Sequence, residues 1–454
     1  MSERFHVIKD PVHGSMQFTT QEDNWIKPFI DSENFQRLRN IKQLGLADWV
    51  FPGAEHTRFN HCLGCCYISN QICNKLDIKD EDQQIVSIAC LLHDIGHGPF
   101  SHAFEDIFYQ HAIRHERWTP LFLREYCDSN FLEKFNKRNP KFPLDENKIE
   151  KIANLIMHRN GENQLLNDIV SSQLDADRLD YLLRDSHFCG VNYGEYDLRW
   201  LLHCMTIVQH EEKPRLGITK KGIGVVEHYL MARRLMMRNV YKNGKKDAGE
   251  YLLKAFLKYL AQGIEEDRYF TKLEPKSLID FLQKTNEFNQ QAEKTKNFPK
   301  LLNAFLEENY ASYKQLYDYD ILSLIRQLAH ADKKHPAITL AKRLYARRIP
   351  KVIYGDSEKS RKIDEVVKEF KENNKNQIED WQIAILNLPH LSYEMSNDPI
   401  LIEDFSGNAK FLHDNSLMVN ALSDKNENTV LVIVDREIAN QSWLDELYSS
   451  LQGL

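Results

Sequence analysis

The pair His93-Asp94, in the segment LLHDIGHGPFSH, brings two metal-ligand side chains together where an apolar helical pattern meets a glycine-rich turn. His61 upstream, and His97 and His102 downstream, add three further imidazoles. Imidazole nitrogen combined with carboxylate oxygen suits divalent ions such as Mn, Fe, Zn or Mg. The glycines of the turn allow a close approach to a ligand. This cluster predicts a divalent metal site without fixing the metal.

A second acidic group lies in the helical pattern of DADRLDYLLRD. Asp177 and Tyr181 are four residues apart and Arg184 follows on the same side, so a carboxylate, a phenol and a guanidinium share one helix face. Such a face is costly to bury without partners. One interpretation is a structural ion-pair network that includes Asp180 and Asp185.

The other interpretation is that Asp177 joins the upstream cluster. Four ligands from three separate helices can close around one ion while leaving positions open for water or substrate. The predicted metal ligands are then His61, His93, Asp94 and Asp177.

Histidines and arginines near this cluster have types that suit phosphate chemistry. A metal in such a site lowers the pKa of bound water. Imidazoles can orient a substrate or protonate a leaving group, and guanidinium groups can hold anionic oxygens. The candidates are His97, His102 and His115, and Arg58, Arg178 and Arg233. A simple structural alternative stays open for each residue. Arg58 can have no role beyond an ion pair with a carboxylate, and His115 can form a surface pair with Glu116. Together these residues predict hydrolysis of a phosphoester or phosphoanhydride.

The elements that must position these residues are mainly helical. From about Glu22 to Phe270, most segments repeat apolar residues at i, i+3 and i+4. Alternating residues near the N-terminus and over 205–218 predict two short β-hairpins. After about residue 375, short β-branched runs separated by turn residues predict a small α+β appendage. We therefore predict a mainly α fold with two regions, 1–350 and 351–454.

The composition of the chain limits which partners and which cellular compartment we expect. The chain has 454 residues, 42% of them hydrophobic, and a net charge of -7, so nothing demands a nucleic-acid partner. No apolar run approaches the roughly 20 residues of a membrane span. The start of the chain carries no apolar segment like that of a signal peptide. The eight cysteines fall mostly in apolar helical patterns. These features favour a cytoplasmic protein without disulfide bonds or a membrane anchor.

The order His61, His93-Asp94, Asp177 resembles that of the HD-domain metal phosphohydrolases. Longer motifs make the likeness closer: DPVHG at 10–14, FQRLRNIKQLG at 35–45, VFPGAEHTRFNHCLG at 50–64, HDIGHGPFSH at 93–102 and DADRLDYLLRD at 175–185. They resemble the deoxynucleoside triphosphate triphosphohydrolase branch, whose animal member also carries a sterile-alpha-motif domain. The resemblance is strong over about residues 5–260. It implies that region 1–350 is a helical HD phosphohydrolase domain.

The resemblance also implies roles for single residues. His102 matches the group that protonates the leaving 5′-oxygen, and Tyr181 matches the aromatic that packs under the sugar and disfavours a 2′-hydroxyl. Gln43 and Leu44 match residues that flank the deoxyribose 3′-hydroxyl. The implied catalytic residues are His102, His97, His115 and Asp94. The implied substrate-binding residues are Arg58, Gln43, Leu44, Arg178, Tyr181, Asp185 and Arg233.

The implied reaction releases deoxynucleoside and intact triphosphate from a dNTP. Family members of this type are often assembled into tetramers by activating nucleotides, so we expect a homo-oligomer, dimer or tetramer, and a guanine-nucleotide or dNTP activator. The matching activator residues are Asp31, Gln36, Arg39, Arg347 and Lys351. Two alternatives stay open: an HD enzyme acting on a cyclic, alarmone or monophosphate nucleotide, and a nucleotide sensor without catalysis.

Overall fold

The mainly α prediction is confirmed by the computed structural model, which describes residues 6–158, 163–391, 393, 398–404, 406–422 and 426–452. The α-helices are α1 Thr20–Ile30, α2 Glu33–Gln36, α3 Arg58–Lys75, α4 Asp80–Leu92, α5 His102–Glu105, α6 His115–Glu125, α7 Ser129–Arg138, α8 Glu146–Ile156, α9 Gln164–Val170, α10 Ala176–Cys189, α11 Leu198–Cys204, α12 Ile223–Met236, α13 Gly244–Glu266, α14 Lys276–Ala292, α15 Phe298–Tyr313, α16 Asp318–Ala329, α17 Pro336–Tyr345, α18 Ser360–Asn373, α19 Leu412–Asn415, α20 Leu417–Leu422 and α21 Asp445–Leu451. The strands are β1 His6–Asp10, β2 Gly14–Phe18, β3 Met205–His210, β4 Lys213–Thr219, β5 Lys351–Gly355, β6 Ile383–Leu391, β7 Leu401–Glu403, β8 Ala409–Phe411 and β9 Asn426–Val434.

Helix α3 lies at the centre of the predicted site, with α4 and α10 packed against it. It begins where the backbone N–H of Thr57 donates to Oδ1 of Asn60 at 3.3 Å, and α10 begins where Oδ1 of Asp175 accepts from the backbone N–H of Arg178 at 2.7 Å. Such bonds satisfy the backbone groups that a helix start leaves free. The interior of α3 includes buried cysteines, which are free thiols, as the sequence pattern predicts.

The glycine-rich turn after α4 is pressed tightly onto α6. A Cβ on Gly96 would lie 2.4 Å from the carbonyl oxygen of His115 and 2.5 Å from Oγ1 of Thr119. Only glycine avoids this clash, so the residue allows the His93-Asp94 end of α4 to approach the His115 end of α6.

Both predicted hairpins are present, because β1 pairs antiparallel with β2 and β3 pairs antiparallel with β4. Two short strands from the C-terminal region extend the second hairpin, with β7 parallel to β4 and β8 antiparallel to β7. A separate antiparallel sheet has the order β5-β9-β6. Its apolar face packs with α18 and α21, which gives the predicted α+β character to this part of the chain.

The C-terminal sheet packs on α13 rather than standing apart. Ala248, Ile349 and Ile433 form a small shared core, and the hydroxyl of Tyr251 donates to the carbonyl oxygen of Trp381 at 2.9 Å. The division into 1–350 and 351–454 therefore stays a prediction. Within the described residues, we find no helix with both the length and the apolar character that a membrane crossing demands.

Candidate metal centre and substrate cavity

The predicted metal ligands converge from α3, the end of α4 and α10. Nε2 of His61 lies 3.2 Å from Nε2 of His93 and 2.9 Å from Oδ1 of Asp177. Oδ1 of Asp94 lies 3.6 Å from Nε2 of His93, and Oδ2 of the same carboxylate lies 4.0 Å from Nε2 of His61. Two imidazoles and two carboxylates thus direct donor atoms into one small space.

The other nitrogen of each imidazole has a partner that fixes the ring. Nδ1 of His61 is 2.8 Å from Oδ2 of Asp180, and Nδ1 of His93 is 2.8 Å from the carbonyl oxygen of Cys90. With Nδ1–H donating to these oxygens, each Nε2 faces the cluster and would present its lone pair to a bound ion in place of a proton. This is the outer arrangement typical of metal-binding histidines, so the residues present fit a divalent ion.

The electrostatics of the cluster favour a cation. Burial lowers the pKa of His61, but the bonds to Asp177 and Asp180 outweigh it and raise that pKa to about 10. Burial would raise the pKa of Asp94, yet the charge of Arg58 and the neighbouring imidazoles hold it well below its usual range. The carboxylates are therefore ionised, and the cluster retains a proton in the space that suits a metal ion.

Arg58 links the metal centre to the turn that precedes α5. Its guanidinium donates to Oδ2 of Asp94 through NH1, and to Oγ of Ser101 at 3.1 Å from Nε and 2.7 Å from NH2. Ser101 and its neighbour Phe100 have positive φ values of 51° and 49°. Such backbone strain costs about 1–3 kcal/mol per residue and tends to occur at functional sites.

Three imidazoles form a second group beside the metal centre. The rings of His97 and His115 stack with centroids 3.5 Å apart, and the His102 ring centroid is 5.6 Å from that of His97. Glu105 joins the group, because its carboxylate accepts from Nδ1 of His102 at 3.1 Å and from Nδ1 of His115 at 2.8 Å. Glu105 was not among the predicted site residues, although its position three residues after His102 indicates a possible pair on one helix face.

The four residues of this second group differ in protonation and in exposure. Burial and the positive charge of Arg58 hold the pKa of His97 well below its usual range, so its ring is neutral. Burial would raise the pKa of Glu105, but the bonds from His102 and His115 lower it far below the usual value. His102 is the exposed member of the three, with 72% of its side chain accessible.

A cavity of 620 Å³ opens beside the metal centre. This volume falls within the roughly 300–1,000 Å³ typical of small-molecule sites. The predicted residues that line it are Gln43, Leu44, Arg58, Asp94, His97, His102, His115, Asp177, Tyr181 and Asp185. The structure thus brings together most of the predicted catalytic and substrate-binding side chains.

Two predicted phosphate-binding arginines are not among the residues that line this cavity. NH1 of Arg178 donates to the carbonyl oxygen of Ser172 at 2.7 Å, back toward the start of α10. Arg233 lies near Tyr181 and Tyr229, and its Nε and NH1 have no hydrogen-bond partner among the described residues. Their roles stay predictions.

Other lining residues were not expected from the sequence. They include Tyr241 at the end of the π-helical segment Met237–Tyr241, Leu388 of β6, and three lysines before and along α13. The lysines are Lys242, Lys246 and Lys254. Segments of π-helix are often found at functional sites, but no sequence pattern indicates this one.

Asp185 connects the cavity wall to two elements at once. Its carboxylate is 2.7 Å from Nε2 of His56 and accepts from the hydroxyl of Tyr241 at 2.7 Å. The ring of Tyr241 lies edge-on to that of Tyr181, with centroids 5.9 Å apart. Asp185 therefore fixes the aromatic wall of the cavity.

The predicted activator residues lie in separate local contacts. Nε of Arg39 donates to Oε1 of Gln36 at 2.7 Å, and its guanidinium lies 3.6 Å from the ring centroid of Phe59. Asp31 pairs with Lys27 at 2.8 Å. Arg347 donates to the carbonyl oxygen of Trp49, and Lys351 lies 3.8 Å from the ring centroid of Tyr448. A role in activation stays a prediction for all five.

Comparison with known proteins agrees with this geometry. A family model of the HD domain matches residues 58–185, the stretch that holds all four predicted metal ligands. The protein YwfO of Bacillus subtilis is 35% identical over 270 residues, which are 58% of this chain and 58% of that protein. A Dictyostelium discoideum homologue of deoxynucleoside triphosphate triphosphohydrolase SAMHD1 is 36% identical over 200 residues, which are 40% of this chain and 36% of that protein. The chain thus matches less than two thirds of the length of these relatives.

The fold as a whole has a counterpart among solved structures. A crystal structure of a phosphohydrolase from Bacteroides thetaiotaomicron superposes with a TM-score of 0.73 at 27% sequence identity, and the match covers 95% of this chain and 100% of that one. We therefore identify residues 58–185 as an HD domain, in a chain that is similar in sequence to a SAMHD1 homologue and in fold to a solved phosphohydrolase.

Proposed function

We propose that this protein hydrolyses deoxynucleoside triphosphates to deoxynucleoside and inorganic triphosphate with the help of a divalent metal ion. The observation that carries the proposal is that the predicted metal ligands adjoin a cavity large enough for a small molecule. The cluster of His61, His93, Asp94 and Asp177 opens onto a cavity whose wall combines imidazoles, lysines and aromatic rings. A triphosphate needs the cations, a sugar needs the aromatic wall, and a P–O cleavage needs an acid for the leaving oxygen.

His61, His93 and Asp177 would hold the metal ion, with Asp94 as the fourth ligand 3.6 Å from Nε2 of His93 and 4.0 Å from Nε2 of His61. When bound, a divalent ion acidifies water and neutralises charge that develops on phosphate oxygens. Arg58 fixes the orientation of Asp94 through its guanidinium, and its two bonds to Ser101 keep the turn before α5 in place. Arg58 therefore both anchors a ligand and contributes positive charge to the phosphate side of the cavity.

The triphosphate end of the substrate would lie among cationic groups. Lys242, Lys246 and Lys254 line the cavity, and Lys246 is held by Glu250 at 2.9 Å. Nε2 of the neutral His97 lies 3.3 Å from Oδ1 of Asp94, so the single proton of this ring lies on Nε2. Nδ1 of His97 is therefore an acceptor and does not donate to a phosphate oxygen. The lysines bind and orient the triphosphate rather than transfer protons.

His102 is the candidate acid for the leaving 5′-oxygen. Its Nδ1–H donates to Glu105, so Nε2 remains for contact with substrate in the cavity. In the proposed reaction, water attacks the α-phosphorus, the bond from that phosphorus to the 5′-oxygen breaks, and His102 gives a proton to this oxygen. Glu105 holds the ring in orientation through this hydrogen bond.

The sugar would pack against the aromatic wall. Tyr181 and Tyr241 form its rings, and Leu44 adds an apolar contact. Oε1 of Gln43 is buried without a hydrogen-bond partner among the described residues, so it can accept from a 3′-hydroxyl. A sugar packed directly on Tyr181 has no room for a 2′-hydroxyl on that side. This arrangement supports a preference for deoxynucleotides.

Product analysis tests the proposal directly. Purified protein is incubated with each dNTP, alone and in mixtures, with Mg²⁺ or Mn²⁺, and the products are separated by ion-exchange chromatography. We expect deoxynucleoside and triphosphate in equal amounts. Pyrophosphate or orthophosphate as the main product would reject the proposed cleavage of the bond between the α-phosphorus and the 5′-oxygen.

The same assay includes cyclic, alarmone and monophosphate nucleotides. Turnover of one of these without turnover of dNTPs would assign the site to another HD phosphohydrolase reaction. Binding of dNTPs by equilibrium dialysis, with no product from a metal-loaded protein, would instead favour a nucleotide sensor.

A further inference from the structure

A buried chain of hydrogen bonds connects the first β-hairpin to the metal centre. Nε2 of His13, in the turn between β1 and β2, lies 2.6 Å from Oδ1 of Asp180. Oδ2 of the same carboxylate lies 2.8 Å from Nδ1 of the metal ligand His61. A residue near the start of the chain is therefore two hydrogen bonds away from the predicted cation.

Arg184 extends this series of hydrogen bonds from Asp180 to Asp10 of the hairpin. Arg184 donates to Asp180 at 2.8 Å and to Oδ2 of Asp10 at 2.8 Å. Oδ1 of Asp10 accepts from the backbone N–H groups of Val12 and His13, each at 2.9 Å. The turn that carries His13 is thus held by the same network that it contacts.

The network is built into the protein interior. The side chains of Asp180 and Arg184 have no accessible surface, and that of His13 is 5% accessible. A buried carboxylate with two imidazole and two guanidinium contacts is stabilised only if all partners remain in place.

Helix α3 leaves space for this network at one position. A Cβ on Gly64 would lie 1.8 Å from Oδ1 of Asp180 and 2.6 Å from NH2 of Arg184. Gly64 is one turn after His61 on the same helix. Since both contacts involve atoms that bind each other, neither can move without breaking the network. Glycine at this position is therefore part of how α3 and α10 approach each other.

We propose that His13 and Asp180 are positioning residues that aim Nε2 of His61 at the cation. His13 fixes the carboxylate of Asp180, and this carboxylate fixes the tautomer and the orientation of the His61 ring. The inference rests on the metal centre of the proposed function but not on the identity of the substrate. It gives the first hairpin a function in metal binding, although His13 itself is not a predicted ligand of the ion.

Variants of His13 and Asp180 test the proposal through metal affinity. His13→Phe keeps a ring in place and removes the N–H donor, and Asp180→Asn keeps the shape and removes the charge. We measure Mn²⁺ binding to the metal-free proteins by isothermal titration calorimetry and electron paramagnetic resonance. Loss of an outer partner of this kind typically weakens metal binding about 10–100-fold, and we expect that loss here. His13→Gln, which retains a donor, is expected to recover part of the affinity.

His6→Phe is the matched control for His13→Phe. His6 lies on the same hairpin, but its side chain is 41% accessible and it pairs with Asp23 at 3.6 Å rather than with the buried network. We expect its Mn²⁺ affinity to equal that of the unmodified protein. Unchanged affinity in folded His13→Phe and Asp180→Asn proteins would overturn the proposal. A lower melting temperature of the metal-free variants with unchanged affinity of the folded fraction would also overturn it, because it indicates a structural role alone.

A glycine pair supplies an independent test. Gly64→Ala forces a methyl group into the network, whereas Gly224→Ala, on α12, adds one where no atom lies within 4 Å. We expect weaker Mn²⁺ binding only for Gly64→Ala, and equal affinities in the two folded variants would contradict the proposal. If the unmodified protein binds Mn²⁺ and the variants lose affinity as expected, failure to cleave dNTPs would reject the proposed substrate and leave this inference standing.

Discussion

The imidazole of His97 stacks on that of His115, with ring centroids 3.5 Å apart and ring planes inclined by 17°. Two cationic rings would repel each other at this distance, and burial beside Arg58 keeps His97 neutral. The stacked pair therefore forms a fixed wall next to Asp94. His102, exposed and bonded to Glu105, is left as the member of the group that is free to meet a substrate.

Replacing His102 tests this division of roles. We expect His102→Ala to lower kcat about 10²–10⁴-fold, because general acid catalysis contributes on that order. KM and bound metal should change little, since the metal ligands lie on other elements. Steady-state kinetics and metal analysis by mass spectrometry measure both effects.

His111→Ala is the control for this substitution. His111 is also exposed and also pairs with a carboxylate, that of Asp106 at 2.9 Å, but it is not among the residues that line the cavity. Equal kcat values for the two variants would argue against His102 as the acid.

Tyr181 is expected to determine the preference for deoxyribose. Removing its ring opens space on the sugar side of the cavity, so Tyr181→Ala should reduce the ratio of kcat/KM for a dNTP over that for the matching NTP. A single steric contact of this kind is worth about 10–100-fold in discrimination. Tyr193→Ala, which alters a tyrosine that is 42% exposed, serves as control and should keep the ratio of the unmodified protein. A ratio unaffected by Tyr181→Ala would move sugar selection to another residue.

The metal centre could be predicted from the sequence because its ligands follow local rules. His93 and Asp94 are adjacent at the end of a helix, and the helical period places Asp177 on the same side as Tyr181. Both alternatives for this helix are in part present, since Asp177 joins the metal cluster while Asp180 and Arg184 form the ion-pair network. The spacing of residues along α10 could not decide between a metal ligand and an ion-pair network, because it does not show which face of α10 meets α3.

The other side of the cavity depends on contacts between distant segments. Lys242 and Tyr241 line it because a π-helical segment precedes α13, and no pattern in the sequence marked that segment. Leu388 comes from β6, where it pairs with Thr429 of β9. Its place in the wall follows from the packing of the C-terminal sheet on α13, which is tertiary structure that apolar periodicity does not encode.

Leu388 offers a test of that packing. Leu388→Trp adds a large ring to the cavity wall, so we expect KM for the dNTP to rise about tenfold or more while kcat falls less. Asn387→Ala, one residue away on the strand, alters an exposed side chain that contacts Ser360 at 3.1 Å and is the control. Unchanged KM in Leu388→Trp would show that substrate does not reach this wall.

Asp318 links the pH dependence of stability to the two loops that border the cavity. Its Oδ2 accepts from the backbone N–H of Lys42 at 2.8 Å, and its Oδ1 accepts from that of Phe100 at 2.7 Å. Burial outweighs these bonds and raises the pKa of Asp318 from 3.8 to about 6. The folded protein therefore binds this proton more tightly than the unfolded chain does. The resulting stabilisation is fully present below pH 3.8 and is lost as the pH rises through about 6.

Asp318→Asn removes this titration, so the difference between the two proteins should depend on pH. The free energy of unfolding of the unmodified protein, minus that of the variant, is expected to decrease by about 1–3 kcal/mol between about pH 4 and pH 7. Urea unfolding followed by circular dichroism at several pH values measures the difference. Comparing the two proteins cancels the titration of other carboxylates, which acts on both. A difference that stays constant or increases over this range would contradict a raised pKa for Asp318.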